Sequence, residues 1–450
     1  MANRWPATCS HCRWSRDASD TGWSGPSWSS KNSGRLRPSV ASTGDRPPSC
    51  PSPCFLRRPT RREPTLVARI TPTRASMTSS RYAVALSQHP DPEVAVAEVV
   101  GQCLDRVGSA PDLAVLFTSG PHVLSTPLVA RAVRRLLHPG HLLGATAAAT
   151  VAHRQEVEDG PSVVLWAGRT GPVLPIRMEA HPTEPRLPAG AGDGPVLLVA
   201  DPFAFDAAAL AEGLDPVNLV VGGLASAARR SGGNHLVLDD DLFCDGAVAV
   251  QLPCDLAAAA VVATGCRPVG EPMVVTDADG PLLRALAGRP ALDRLEELLT
   301  ASDDVTRERL RRGLHLGIVL DEHRESFGPG DFLIRGILGA QRKSRSLAVG
   351  AELAVGTTIQ FQVRDAEAAS ADLEARLDPF VAETALTFTC NGRGSHLFGA
   401  PGHDAGRLVA SLETTDVAGM ACAGEIGPVG GRHHLHGFTA STLLLGARAA

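Results

Sequence analysis

The stretch best equipped for chemistry is Cys390-Asn391-Gly392-Arg393-Gly394, which sets a thiol, an amide and a guanidinium among glycines directly after the apolar run 385–390. Glycines let backbone N–H groups approach a ligand closely, and an arginine fork can hold a carboxylate in two parallel hydrogen bonds. The loop therefore suits an anionic metabolite, although a glycine-rich turn whose arginine caps a neighbouring carbonyl fits the same residues. A second run, 417–423, closes on Gly424-Glu425-Ile426-Gly427-Pro428, and His436-Gly437-Phe438-Thr439 leads into the last apolar run. If these runs are neighbouring strands, Arg393, Glu425 and His436 converge. Glu425 would then take a ligand's ammonium and Arg393 its carboxylate, with Asn391, Gly392, Gly394, Cys390, His436 and Thr439 as supporting contacts, an arrangement for a zwitterion.

Other chemistries can be drawn from the same letters. A Cys-dependent enzyme would use Cys390 as nucleophile, His436 as base and Glu425 as orienting acid; against it, a cysteine at the end of an apolar strand is more often an inert small hydrophobe than a thiolate. His433, His434 and His436 suggest a metal, but consecutive histidines point different ways and no Cys or carboxylate stands at ligand spacing from them. Gly222 and Gly223 are not part of a full G-x-G-x-x-G, so a dinucleotide is unsupported. Arg342, Lys343 and Arg345 form either a solvated loop or a basic lid. No cofactor is expected.

These groups must be held by strands and helices. From residue 82 onward, short Val/Ala/Leu runs alternate with helical spacing, the pattern of β-α-β units in a mixed α/β fold. The first unit is 112–118, a helix over 123–137, and 141–145. The second is 195–200, a helix near 206–213, and 218–221; the third is 385–390, a helix over 403–412, and 417–423. Ligands of open parallel sheets sit beyond the carboxyl ends of the strands, where Ser119-Gly120, Gly222–Ser226, Asn391–Gly394 and Gly424–Gly427 would lie as loops. Between the second and third units, 247–252, 258–264, 272–276, 317–320, 332–334 and 358–363 read as an antiparallel region, interrupted by helices over 282–299 and 303–312. The expectation is two or more sheets flanked by helices.

Charge divides the chain. Residues 1–76 carry 13 Lys or Arg against four Asp or Glu, with four of the five Trp and no apolar periodicity, whereas the other 374 carry 30 against 44. The basic segment reads as a disordered tail upstream of a true start at Met77. Its pairs Cys9/Cys12 and Cys50/Cys54 could hold zinc, but the residues between them lack the hydrophobes to build around a metal. With no secretory apolar stretch, no run near the roughly 20 residues a bilayer requires, singly scattered body cysteines that suit a reducing compartment and a net charge of only −5, the expectation is a cytoplasmic protein without nucleic-acid binding or membrane insertion.

Several motifs then resemble one family. They are 265–270 (GCRPVG), Val275-Thr276, 288–292 (GRPAL), Phe332-Leu333-Ile334-Arg335, 388–394 with Leu397-Phe398-Gly399, 424–428 and 436–439. In this order and spacing the chain is similar to FIST proteins, two-part sensory modules of prokaryotic signalling proteins and some eukaryotic F-box proteins. The resemblance implies a FIST N part over 77–285, a FIST C part over 286–450, and small-ligand sensing in intracellular signal transduction in a bacterial protein, amino acids or other small carboxylates being candidate ligands. Output would pass to a separate signalling protein. The alternative is an interaction scaffold like the F-box relatives.

Overall fold

Strands built almost wholly of apolar and small residues need cover on both faces. Leu113–Ser119, Ser162–Gly168, Val196–Ala200 and Ala247–Gln251 are buried along their whole length. The computed structural model describes residues 80–188, 194–328 and 330–450, so the readings of 1–76 and of a start at Met77 lie outside the described residues.

The architecture is mixed α/β, with three six-stranded sheets and a closed barrel. Three stretches share one path. Leu113–Ser119 runs through helix Thr126–Leu137 to its parallel partner His141–Ala147. Val196–Ala200 runs through Ala207–Glu212 to Val220–Leu224, and Thr384–Cys390 through His403–Leu412 to Val417–Cys422, each again a parallel pair. After each pair comes a hairpin, and then a strand that returns antiparallel beside the first: Ser162–Gly168, Ala247–Gln251 and Thr439–Leu445. We refer to these as the first, second and third units.

The hairpins do not stay with the unit that makes them. Thr150–Ala152 of the first unit pairs with Val417–Cys422 of the third. Leu236–Leu238 of the second pairs with His141–Ala147 of the first, and Glu425–Val429 of the third pairs with Val220–Leu224 of the second. The loan is therefore cyclic. The inner faces of all three sheets meet in one core, where Phe117 and Phe388 make an edge-to-face contact at 6.1 Å and the Trp166 indole N–H donates to Thr384 Oγ1 at 2.8 Å. Helices cover the outer faces.

The antiparallel region of the sequence resolves into two destinations. Ala247–Gln251 and Ala258–Thr264 belong to the second and third sheets. The other strands close a six-stranded barrel in the order Cys266–Asp279, Thr358–Arg364, Leu314–Val319, Phe332–Gln341, Ser346–Val349 and Leu282–Leu286, the last returning to the first. Helices Ala291–Ala301 and Asp304–Arg312 pack Leu292, Leu295 and Leu310 against the barrel's apolar core. The barrel is an insertion in the third unit, between Ala258–Thr264 and Thr384–Cys390.

Two expectations change. Leu282–Leu286 is a strand, not the start of a helix, because Leu283 and Leu286 face the barrel core and the chain turns at Ala287 and Gly288, both at positive φ. Gly222, Gly223 and the 425–427 segment are strand rather than loop: Gly223 opposes Glu425, and a side chain at 223 would collide with Cys422 and Phe388. The absent Cβ there lets two sheets approach.

Candidate functional site

The third unit builds the site from its strand ends. Cys390 and Cys422 are register partners at the carboxyl ends of Thr384–Cys390 and Val417–Cys422. Two residues on, the chain leaves the third sheet for the second, and Glu425 is the first residue of the departing strand. Its carboxyl is fully buried. Oε2 accepts from the Thr439 backbone N–H at 3.1 Å and from Thr439 Oγ1 at 2.8 Å, while Oε1 has no protein partner. Burial pushes this carboxyl up to about 8, against the opposing pull of Thr439, Arg393 and Cys390, so Glu425 is mainly protonated near neutrality. Beside it, the Cys390 sulfur receives the Gly392 N–H at 3.4 Å. Burial, reinforced by Glu425, pushes that thiol up to about 12.

Arg393 is also buried, but its guanidinium is already forked. Nε and Nη2 donate to the Asp404 carboxylate at 2.6 and 2.9 Å, Nη1 lies 3.5 Å from the Phe438 carbonyl, and the group stands over the Phe398 ring at 5.4 Å. Burial opposes both charges, yet each stabilises the other: Asp404 is brought down to about 2 and Arg393 is held above its ordinary value. His436 pairs with Glu425 across the hairpin; its Nε2 is 2.9 Å from the Gly427 carbonyl, and burial keeps the ring neutral, down to about 3. Gly394 sits at φ 58°, and a side chain there would run into Glu158, which caps the next N–H, that of Ser395, at 2.8 Å. The Gly392 carbonyl accepts from Arg364. Asn391 has an exposed side chain, and only its backbone N–H is tied in, to the Cys422 carbonyl at 3.0 Å.

Glu425, Thr439, Cys390 and Arg393 thus lie together, with His436 one strand away and the Asn391 side chain outside. Cys390 and His436 do not hydrogen-bond: the thiol's neighbours are Gly392, Phe438 and Glu425, and the histidine nitrogen faces a carbonyl. His433, from the same hairpin, accepts the Val220 N–H through Nε2 at 3.3 Å.

The outer wall of the barrel, opposite these groups, was not marked by any motif. Along Thr358–Arg364, Ile359, Phe361 and Val363 enter the barrel core, so Gln360, Gln362 and Arg364 take the other face. Gln362 is nevertheless buried, and so is its register partner His315. Gln362 Nε2, Arg364 Nε and His315 Nε2 all lack a protein partner. Between this wall and Glu425 lies Phe438, whose ring is 4.0 Å from the His315 ring and 5.3 Å from the Arg364 guanidinium carbon. The period-two polar alternation in 358–364 was the available signal; Asp404 left none.

Open clefts lie elsewhere. One of about 350 Å³ is lined by His181, Phe203, Phe205, Asp206, Leu224 and Leu435, at the strand ends of the second unit. Another, of about 460 Å³, is lined by Arg81, Tyr82, Glu383, Glu413, Asp416 and Arg448. Neither contains Glu425 or Arg393, and shape alone would therefore direct attention away from the concentration of unpaired polar groups. Among the described residues no helix is long and apolar enough to cross a membrane.

Residues 112–289 match the FIST N domain and residues 291–428 the FIST C domain. Among curated proteins, "Uncharacterized protein Mb0898c" of Mycobacterium bovis is 41% identical over 381 residues, covering 81% of this chain and 98% of its own length. "Uncharacterized protein Rv0628c" of Mycobacterium tuberculosis is 40% identical over 381 residues, covering 81% of this chain and 99% of itself.

Proposed function

From the premise that this chain belongs to the FIST family, a family associated with small-ligand sensing in signalling, we propose that it binds a small metabolite at the strand ends of its third unit and signals occupancy to a separate protein. The observation that carries this reading is Glu425 Oε1, a fully buried carboxyl oxygen with no protein partner. Leaving such a group unpaired costs about 1–3 kcal/mol, a cost that a ligand hydrogen bond would remove. Protonated, Glu425 donates to a carbonyl or carboxylate; ionised by an incoming ammonium, it accepts. That versatility favours an amino acid or another small carboxylate. Thr439 holds Glu425 through Oε2, and Arg393, neutralised by Asp404, fixes the 390–394 loop rather than forking the ligand. The Cys-dependent alternative finds less support, since the Cys390 thiol is pushed up to about 12 and has no histidine partner.

The test is a thermal-shift screen against the amino acids and small carboxylates, followed by calorimetry on any hit. A ligand that binds only the native state raises Tm by mass action. Glu425→Ala is expected to weaken a hit more than tenfold while leaving the fold intact. Unchanged affinity in that variant would move the site elsewhere, and an empty screen would favour an interaction scaffold.

A further inference from the structure

Seven buried side-chain polar atoms among the described residues lack a partner, and four of them, Glu425 Oε1, Arg364 Nε, Gln362 Nε2 and His315 Nε2, belong to groups that line one seam between the barrel and the third unit. Contacts trace the seam. Glu425 touches Cys390, whose sulfur also receives the Phe438 N–H. The Phe438 ring then faces His315 and Arg364, and Gln362 is the neighbour of His315 across the barrel strands. Folded chains rarely leave buried groups unpaired, and a random scatter would not put four of the seven along one seam.

Phe438 itself is unusual. Its φ is 67°, a conformation in which a bulky side chain is a genuine outlier, and such strain persists only where the surroundings enforce it. Glycine precedes it, and Gly265 approaches its carbonyl. Beyond His315 and Arg364, the ring packs at the edge of a small cluster with Cys266, Val319, Phe332 and Ile334 and is only partly buried. It thus stands where a ligand would satisfy the groups on either side.

We infer that Arg364, Gln362 and His315 of the barrel face Glu425 across a binding site for a small carboxylate, and that the Phe438 side chain is the displaceable plug that closes it. The inference rests on the reading of Glu425 above and extends it to the barrel. Arg364 and Gln362 supply N–H donors for the carboxylate. His315, kept neutral by burial, donates its Nδ1 proton to the Gly313 carbonyl (3.2 Å) and so presents Nε2 as an acceptor for a ligand donor. Because the ligand bridges barrel and third unit, displacement of Phe438 changes the contact between them, which is the event a partner protein would read.

The probe is benzoate, whose ring matches the volume vacated by the plug and whose carboxylate can reach Arg364. Phe438→Gly removes the ring and accepts the positive φ; Phe438→Ala serves if the glycine variant does not fold. Benzoate is expected to raise the Tm of the unplugged variant by several degrees and to leave the unsubstituted chain within one degree. Adding Arg364→Ala should weaken benzoate at least tenfold. The inference is overturned if benzoate fails to stabilise either unplugged variant, if toluene stabilises as well as benzoate, or if Arg364→Ala has no effect. The two readings separate cleanly. A screened amino acid that depends on Glu425 but binds equally well to Arg364→Ala, Gln362→Ala and Phe438→Gly would leave the proposed function standing and remove the barrel from it.

Discussion

Two buried carboxyls with opposite environments contribute opposite pH dependences to stability. Asp404 meets the Arg393 fork and is brought down to about 2. A depressed carboxyl contributes stability above its ordinary value of 3.8, and loses it as pH falls through the folded value. Acid unfolding should therefore have a component between about pH 4 and 2 that is absent in Arg393→Ala. Truncating one partner of a buried ion pair strands the other charge, so that variant should lose about 3–5 kcal/mol in urea unfolding. Glu425 behaves in the opposite sense. Raised from 4.5 to about 8, its neutral form stabilises the fold fully below about 4.5, and that contribution is lost as pH rises through 8. Glu425→Gln, neutral at every pH, should flatten the Tm profile between those limits. A decline of the same slope in the glutamine variant would place the titrating group elsewhere. A sequence reader could nominate Glu425 and Arg393 from their loops, but not that one keeps an unpaired carboxyl oxygen and the other has Asp404, because Asp404 carries no motif and its pairing depends on how the loop folds back.

At the scale of elements, the lent hairpins do more than extend sheets. The segment following Thr150–Ala152 brings Glu156 to the start of helix His403–Leu412, where its carboxylate accepts the Gly402 and Ala405 N–H groups at 3.2 and 2.9 Å. The first unit thus caps a helix of the third. Glu156→Ala should cost about 1 kcal/mol, in line with the loss of an N-cap. Amide exchange at 403–406 should accelerate about fivefold while distant strands keep their protection, and a uniform change across the molecule would contradict a local cap. Much of the element pattern was legible: the apolar runs at 113–119, 196–200, 384–390 and 417–422 and the helix at 403–412 emerge where composition and spacing put them. Sheet membership was not. Glu425 and Gly223 are paired, as are Val151 and Gly419, yet nothing local to either segment specifies a partner so far along the chain. The barrel was half legible: its polar face could be read from Thr-Ile-Gln-Phe-Gln-Val-Arg, but its closure depends on Leu282–Leu286, whose leucines also fit a helix.

At the scale of the whole molecule, the cyclic exchange of hairpins makes the two family-matched parts interdependent. The stretch 112–289 contains the second unit but lacks Glu425–Val429, which completes the second sheet next to Val220–Leu224. It also contains only two of the barrel's six principal strands, Cys266–Asp279 and Leu282–Leu286, and leaves their hydrogen-bonding edges open. The stretch 291–450 has the complementary deficits: it lacks Ala258–Thr264 beside Thr439–Leu445 and Thr150–Ala152 beside Val417–Cys422. Exposed edges of apolar strands are templates for aggregation, so each half made alone should be insoluble or melt without a cooperative transition. Residues 80–290 and 291–450 expressed together should instead assemble, because every missing strand is supplied by the other half, and should unfold in one denaturant transition with an m-value near that of the intact chain. An 80–290 fragment that melts sharply on its own would contradict this interdependence.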